Sequence, residues 1–558
     1  MNMLHEKSRH IIAAIFAATF AGTSMAANYW WTGAEDRLFG NVNNWRKGNA
    51  TTGSVPTTIP ASDAVRFMAM SGSTSVFDDR FKNDDYIVEF DKAYTNTWQL
   101  YVNTDGAKLT WQGTGSNPSY TFTRSAYNTS VVMGIGDTTD SALRIEDMVY
   151  AHSYTNLVLG WTSGKKGNLE IGSGATVNIP STAVCCDGLW MRYGSSLLID
   201  GGTLDCGKNI RIGVAASSVV SGNNVISNLN GTVTASWFGV GCKNTHGEYI
   251  QKGGSLSTTD HIFITHDWTR GSGYFEVDGG EVTAGATTNK NIYVGHKGYN
   301  DSSAHLVVTG DSEVNCSTLI IGEKSPGIAD IKGGIVRAIN ECRLFSKITG
   351  NDYKGNDDDI KQPRLNLIGG VLETPRIKSE STNSYSTVFF NGGTLRESND
   401  NDTILKASDR MYVKVGANGG TIDTAGFTTT VSENIETGVD AGTDGGMTFT
   451  GGGTLALQST ASLAYTGDTK VSSDTTLSVP DKSKVDLDKF ICLVNSKPEE
   501  NGHAILTTTG NDVFTAADLA KIRLVDGMHS AASVRLKLSA DNKSILCKRC
   551  MGMIISFH

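Results

Sequence analysis

The sequence predicts an all-β fold, a parallel β-helix, and three observations carry that expectation. The first is a repeat. A double glycine, mostly followed by a small or β-branched residue and then an aliphatic one, recurs as Gly201-Gly202-Thr203-Leu204, Gly253-Gly254-Ser255-Leu256, Gly279-Gly280-Glu281-Val282 and Gly333-Gly334-Ile335-Val336. It returns as Gly369-Gly370-Val371-Leu372, Gly392-Gly393-Thr394-Leu395, Gly419-Gly420-Thr421-Ile422 and Gly452-Gly453-Thr454-Leu455. Most gaps run from about 23 to 36 residues, the range of solenoids, propellers and arrays. The second is strand-and-turn chemistry. Ile262-Phe263-Ile264, Tyr274-Phe275-Glu276-Val277 and Val282 form one unit, and Leu319-Ile320-Ile321, Ile328-Ala329-Asp330-Ile331 and Val336 form another. Gly, Asp, Asn and Ser separate these runs, as turn residues do. The third is a column. Two positions after the aliphatic residue of the strand that follows the glycines stand Ile179, Cys206, Ala235, Thr258, Ala284, Cys316, Ala338 and Thr374. Residues i and i+2 of a strand share a face, so an aliphatic and a mostly small residue stack coil after coil. A propeller blade uses about 40–50 residues and a β-helix coil roughly 20–30, so the spacing favours the β-helix. Disorder is disfavoured because β-branched and aromatic residues alternate in register.

The elements follow in order. Residues 1–26 read as a signal peptide, with Lys7 and Arg9 before the apolar run Ile11 to Phe20 and small residues in Ser24-Met25-Ala26. That run is too short to span a bilayer comfortably, so no transmembrane span is expected after cleavage. Residues 27–130 are expected to hold an N-terminal cap and the first β coils. Residues 131–480 hold the β-helix repeats. Roughly a dozen coils at about 4.8 Å each give them an axis of about 60 Å. Residues 481–558 read as a small C-terminal β segment, either a cap or a docking element. Its short apolar runs are Ile491 to Val494, Ile505-Leu506, Ile522 to Val525, Val534 to Leu538 and Ile545-Leu546, before the apolar ending Met551 to Phe557.

Two stretches carry a resemblance. Gly451-Gly452-Gly453-Thr454-Leu455-Ala456-Leu457, then Ala464-Tyr465-Thr466-Gly467-Asp468-Thr469-Lys470-Val471 and Thr476-Leu477-Ser478-Val479, resemble the autotransporter-associated β-strand repeat. Asp468 stands where that family usually doubles the glycine. Tyr29-Trp30-Trp31-Thr32-Gly33, Asn43-Asn44-Trp45 and Pro60-Ala61-Ser62-Asp63-Ala64-Val65-Arg66-Phe67 are similar to the opening of many secreted bacterial β-helix proteins. Together they cover about a tenth of the chain. The resemblance implies a passenger-like, right-handed parallel β-helix, a pectin-lyase-like solenoid, exported beyond the inner membrane. It implies no activity. A translocating β-barrel needs many strands of roughly ten residues, and the segment after the last repeat has no room for one.

Composition narrows the partners. The 558 residues are 19% charged with a net charge of −9. Nucleic acid calls for a basic face, so it is not an expected partner. Envelope components or glycans are. Nine cysteines make an odd count in an exported chain. Cys206 and Cys316 share the interior column but stand about four coils, near 19 Å, apart, beyond the roughly 7 Å limit for a disulfide. They read as core residues. Adjacent Cys185 and Cys186 point to opposite faces. Cys547-Lys548-Arg549-Cys550 is a lone pair, and zinc needs four ligands.

Candidate chemistry is sparse. Trp30, Trp31 and Trp45 would either stack on sugar rings or cap the open end of the solenoid, where strand edges need cover; the cap is preferred. Clustered carboxylates at Asp352, Asp357, Asp358 and Asp359 are where calcium would bind, but the spacing is not that of an EF-hand. An exposed acidic insertion is expected there, and no cofactor. His261, His266 and Asp267 lie close in one repeat. Residues five apart on a strand face opposite sides, so they read as a solvated turn; a joint site needs His266 past the bend. The expected function is a non-enzymatic structural, adhesive or surface-binding role at the cell envelope. The alternative is a polysaccharide lyase or glycoside hydrolase, which needs carboxylates across a groove. Such residues come from different coils, so spacing does not reveal them.

Overall fold

The computed structural model describes residues 27–549 except 50–51, 62–63, 69–85, 98, 105–107, 124–132, 136–139, 153–155, 162–163, 182–187, 215–221, 267–270, 286–289, 297–301, 346–361, 382–384, 401, 409, 496–499 and 527–533. The leader, Cys185 and Cys186, Asp267, the acidic run at Asp352 and Asp357 to Asp359, Cys550 and the apolar ending therefore lie outside the described residues.

Most coils lay one strand on each of three faces, and the last ones on two. The first face is a fifteen-stranded parallel sheet from Tyr86–Phe90 to Leu463–Ala464. The second runs from Ala93–Asn96 to Arg523–Asp526, and the third from Asn28–Trp31 to His503–Thr508. These two merge into one thirty-six-stranded sheet, because Glu313–Ile321 and Ile335–Leu344 bend from one face onto the next. Their register shifts at the bend, between Cys316 and Thr318. The ladders pass through residue 130 and residue 480 without a break: Ser119–Phe122 pairs with Val149–His152, and Thr476–Val479 with His503–Thr508. The chain is a parallel β-helix.

Register explains the stacking. On the second face Val177, Leu204, Val233, Leu256, Val282, Val314 and Val336 are successive partners, each with no measurable exposure. The small-residue column beside them is buried throughout, from Ile179, Cys206, Ala235 and Thr258 to Ala284, Cys316, Ala338 and Thr374. An aliphatic side chain of this kind contributes about 1.5–3 kcal/mol when fully buried, and the solenoid repeats that gain along its axis. Small neighbours keep the prism narrow enough to fill.

The glycine pairs sit at the corner between the first and second faces. Gly254 and Gly280 need φ of +69° and +75°, and a Cβ there would lie 2.0 Å from the Gly231 carbonyl oxygen and 2.1 Å from that of Gly254. Backbone thus packs on backbone, which only glycine allows. One copy departs from the expected repeat. Gly452-Gly453 lies between Met447–Thr450 on the second face and Thr454–Leu457 on the third, so it turns a different corner. In that coil the first-to-second corner belongs to Gly445 and Gly446, and in the next to Tyr465-Thr466-Gly467-Asp468. Asp444 joins the two, accepting from the N–H groups of Gly446, Gly467 and Thr466.

Both ends are closed. At the start, Asn28–Trp31 pairs antiparallel with Trp45–Lys47 and parallel with Ala64–Met68. At the finish, Ser544–Arg549 lies antiparallel on His503–Thr508, and Val534–Leu538 pairs outside it. Arg535 and Lys537 point to solvent from that outer strand; charges at such an edge oppose further pairing. A short helix, Ala516–Lys521, is held by a capping box of Thr515 and Asp518. No helix of the described residues is long and apolar enough to cross a membrane.

Candidate functional site

The outer surface of the first face opens into a groove near its C-terminal end. It encloses about 500 Å³ between Gln362, Arg364, Thr387, Phe389, Tyr412, Lys414, Gly438 and Asp440. The strands Arg364–Leu367, Ser386–Phe390 and Met411–Val415 alternate inward and outward. Their register places Arg364, Thr387 and Tyr412 in one outward column, and Asn366, Phe389 and Lys414 in the next. Four successive coils therefore build one wall set, each contributing two residues that stand two apart in the chain.

Rings form part of the groove and its rim. Tyr385 and Tyr412 stack with centroids 4.8 Å apart and planes 17° apart. They stay 40% and 38% exposed, the most open of the large aromatic rings among the described residues. Phe389 lies over two glycines: a Cβ on Gly416 or Gly438 would come within 2.7 or 2.9 Å of its ring. Those glycines let the ring lie flat on the sheet. Three cations surround the rings. The Arg364 guanidinium lies 5.2 Å from the Phe389 ring, Lys414 Nζ lies 5.4 Å from Tyr412, and the Arg410 guanidinium lies 6.0 Å from Tyr385. Arg364 Nε also donates to Asn366 Oδ1 at 2.8 Å. None of the three forms an ion pair among the described residues. On the second face some outer cations are matched: Arg337 meets Glu313 and Glu373, and Arg396 meets Asp423 at 2.9 Å. The groove thus offers ring faces and two cations, Arg364 and Lys414, with one carboxylate, Asp440, in the same lining.

The carboxylates further along the same face are already engaged. Burial would raise the Glu276 carboxyl, but hydrogen bonds from Lys252 and Tyr274 hold it below its usual range. Asp330 is likewise pushed up by burial and brought down further by His305 and Asn366. A general acid at neutral pH needs the opposite shift. Among the described residues no group of three or more His, Cys, Asp or Glu side chains is placed to hold a metal ion.

The residues singled out from the sequence fall elsewhere. Trp31 and Trp45 are buried in the N-terminal cap, with centroids 5.1 Å apart, and Trp45 Nε1 donates to the Phe39 carbonyl. They present no ring face to a ligand. Trp30 is half-buried beneath the Arg66 guanidinium at 5.5 Å. The paired glycines line corners rather than a pocket. The histidines require a correction. Thr265 takes φ of +61° and carries His266 round the bend, so His261 and His266 both pack on Phe263, at 5.7 and 4.5 Å. They belong to a ring cluster with Trp237, Tyr293 and His296 on the third face, not to a solvated turn. That ridge continues through Arg211 over Trp237 and Arg192 between Trp190 and Trp161. Its ring faces are largely taken by each other and by guanidinium groups.

Sequence reasoning missed the groove because register, not spacing, assembles it. The available signal was a run of outward aromatic and cationic residues in three consecutive first-face strands. Compared with protein-family models, with curated proteins and with solved structures, the chain matches none.

Proposed function

We propose that this is an exported, non-enzymatic binding scaffold of the bacterial envelope, whose first-face groove holds a carbohydrate chain carrying acidic groups. The stacked, exposed pair Tyr385 and Tyr412 carries this reading. Flat ring faces suit the apolar face of a sugar, and binding sites combine such apolar lining with a few placed polar groups. Arg364, Arg410 and Lys414 supply charge for carboxylates, and a guanidinium can take one in a two-pronged contact. Successive first-face strands are about 4.8 Å apart, so a chain-like ligand can meet an equivalent outward position on each coil. The expected export supports the same role, since envelope polysaccharides lie outside the inner membrane.

Titration calorimetry with a polyuronate and with a neutral polysaccharide tests the reading. Saturable binding of the polyuronate, weakened in Tyr412→Ala, is expected. Equal binding of both polymers, unchanged by that substitution, removes it. The alternative, a polysaccharide lyase or glycoside hydrolase, draws on the Tyr274, Glu276, His305 and Asp330 network on the same face. It requires that the bound polymer be shortened with time.

A further inference from the structure

The third face encloses a guanidinium that has no counter-charge. On its outward side Trp190, Arg211, Gly239, Phe263 and Tyr293 are successive register partners, and no carboxylate stands among them. Arg192 follows directly on the strand Leu189–Met191. Its backbone is engaged on both sides. The N–H donates to the Leu159 carbonyl at 2.9 Å, and its own carbonyl accepts from the Ser195 N–H at 3.1 Å. Gly160, at φ of +74°, lets that carbonyl approach, since a Cβ there would lie 2.5 Å from it. The turn brings the Arg192 guanidinium to 4.6 Å from the Trp190 ring and 5.3 Å from the Trp161 ring.

The side chain is not satisfied in the same way. Arg192 is only 9% exposed. Among the described residues its guanidinium makes no hydrogen bond and no ion pair, and Nε is enclosed without a partner. Burial draws its pKa below the ordinary value. Ring faces attract a cation, but they supply no oxygen to accept its N–H groups. A buried cation without an acceptor is costly. Arg144 on the first face shows the usual remedy, an ion pair with Glu170 at 2.6 Å.

We infer that Arg192 anchors a second ligand site, on the third face, which takes a carboxylate group in a two-pronged contact with the terminal nitrogens of its guanidinium. The site is independent of the first-face groove. One enclosed cation calls for one negative charge, which a carboxylate supplies and a doubly charged phosphate exceeds. The planar fork of the guanidinium also matches the paired oxygens of a carboxylate. Arg211, the strand partner of Trp190, adds positive potential alongside, 4.9 Å from the Trp237 ring. Indole rings beside the contact displace water, and a charge pair is stronger where water is excluded. A free uronic acid and an acidic polymer present the same group.

The test uses the full chain with Tyr385 and Tyr412 both replaced by Ala, so that the groove does not contribute. It is titrated by calorimetry with glucuronate, with a polyuronate and with glucose as the neutral control. Saturable binding of an acid is expected, weakened at least about 10-fold in Arg192→Gln, as the loss of hydrogen bonds to a charged group implies. Binding of both acids supports a site for the free group, and binding of the polyuronate alone supports a site for a polymer-borne one. No binding of either acid, equal binding of glucose, or binding indifferent to Arg192→Gln overturns the inference. Arg192→Lys keeps the charge without the fork and should bind more weakly than its parent; equal affinity would overturn the two-pronged contact. Urea unfolding supplies a second readout. A saturating acid should raise the midpoint of the chain with Arg192 and leave that of Arg192→Gln unchanged. Without ligand, Arg192→Gln should be at least as stable as its parent, because an unpaired buried charge is removed. A clear loss of stability, with no response of the parent to either acid, would make Arg192 a packing element between the indoles and overturn the inference. The same titration of Arg192→Gln with both tyrosines intact tests the groove by itself, so the failure of one site is told apart from the failure of the other.

Discussion

Tyr385 and Tyr412, on adjacent coils of the first face, lie 4.8 Å apart and nearly parallel while each stays more than a third exposed. Most of the other large rings of this protein are half-covered or buried in the core. Replacing Tyr412 by Ala should weaken binding of a polyuronate by about 5- to 30-fold, or roughly 1–2 kcal/mol, the range of a substantial interface ring. Its unfolding midpoint should stay within about 0.5 kcal/mol of wild type, as for a surface site. Calorimetry and urea titration of the same samples separate the two effects.

Arg364→Ala and Lys414→Ala should weaken the same binding and flatten its salt dependence, because surface charges are screened within about 10 Å at 0.1 M salt. Affinity measured at two ionic strengths checks this. An unchanged salt slope in both variants would mean that the cations do not face the ligand.

The interior column gives a stability prediction. Ala284 is 2% exposed and stands among apolar neighbours. Ala284→Arg should destabilise by about 3–5 kcal/mol, since an unpaired buried charge is costly. A urea midpoint within about 0.5 kcal/mol of wild type would place Ala284 on the surface.

The corners give another. Gly254→Ala would force φ of +69° on a residue with a Cβ and bring that atom 2.0 Å from a neighbouring carbonyl oxygen. A cost of about 1–3 kcal/mol is expected from the strained backbone alone. Gly452, which also has positive φ but no atom within 4 Å of an added Cβ, should cost less. Equal losses would show that the close packing at Gly254 carries no weight.

Asp444 ties stability to pH. Burial would raise its carboxyl, but the N–H groups of Thr466, Gly446 and Gly467 hold it below the ordinary value. A depressed folded pKa gives stability that is present above the unfolded value, about 3.9, and lost as pH falls through the folded one. Asp444→Ala should cost about 1–3 kcal/mol at pH 7 by orphaning these donors. The gap between variant and wild type should narrow below about pH 4. Urea midpoints at pH 7 and pH 3 measure it.

Much of the fold was legible because a solenoid writes its register into the chain. The columns of Val177 to Val336 and of Cys206 to Ala338 are period-2 patterns repeated once per coil, and each position obeys local strand geometry. The glycine pairs were less reliable. Many corners take positive φ, though Gly369-Gly370 turns without it, so Gly452-Gly453 resembles the others while turning a different corner. Gly445-Gly446, which occupies the expected corner, is followed by Met447 and Thr448 in the reverse polarity. The groove was not legible. Arg364, Phe389 and Tyr412 converge only through strand pairing, and nothing in their separations announces it. His266 was misread because a positive φ at Thr265, a residue that seldom adopts it, turned the chain.

The most direct test of the account is calorimetric titration of the full chain with a polyuronate, with the polymer's length measured before and after. The account predicts saturable binding, lost when Tyr385 and Tyr412 are both replaced by Ala, and a polymer of unchanged length. Absence of binding, binding indifferent to both tyrosines, or progressive shortening of the polymer would contradict it.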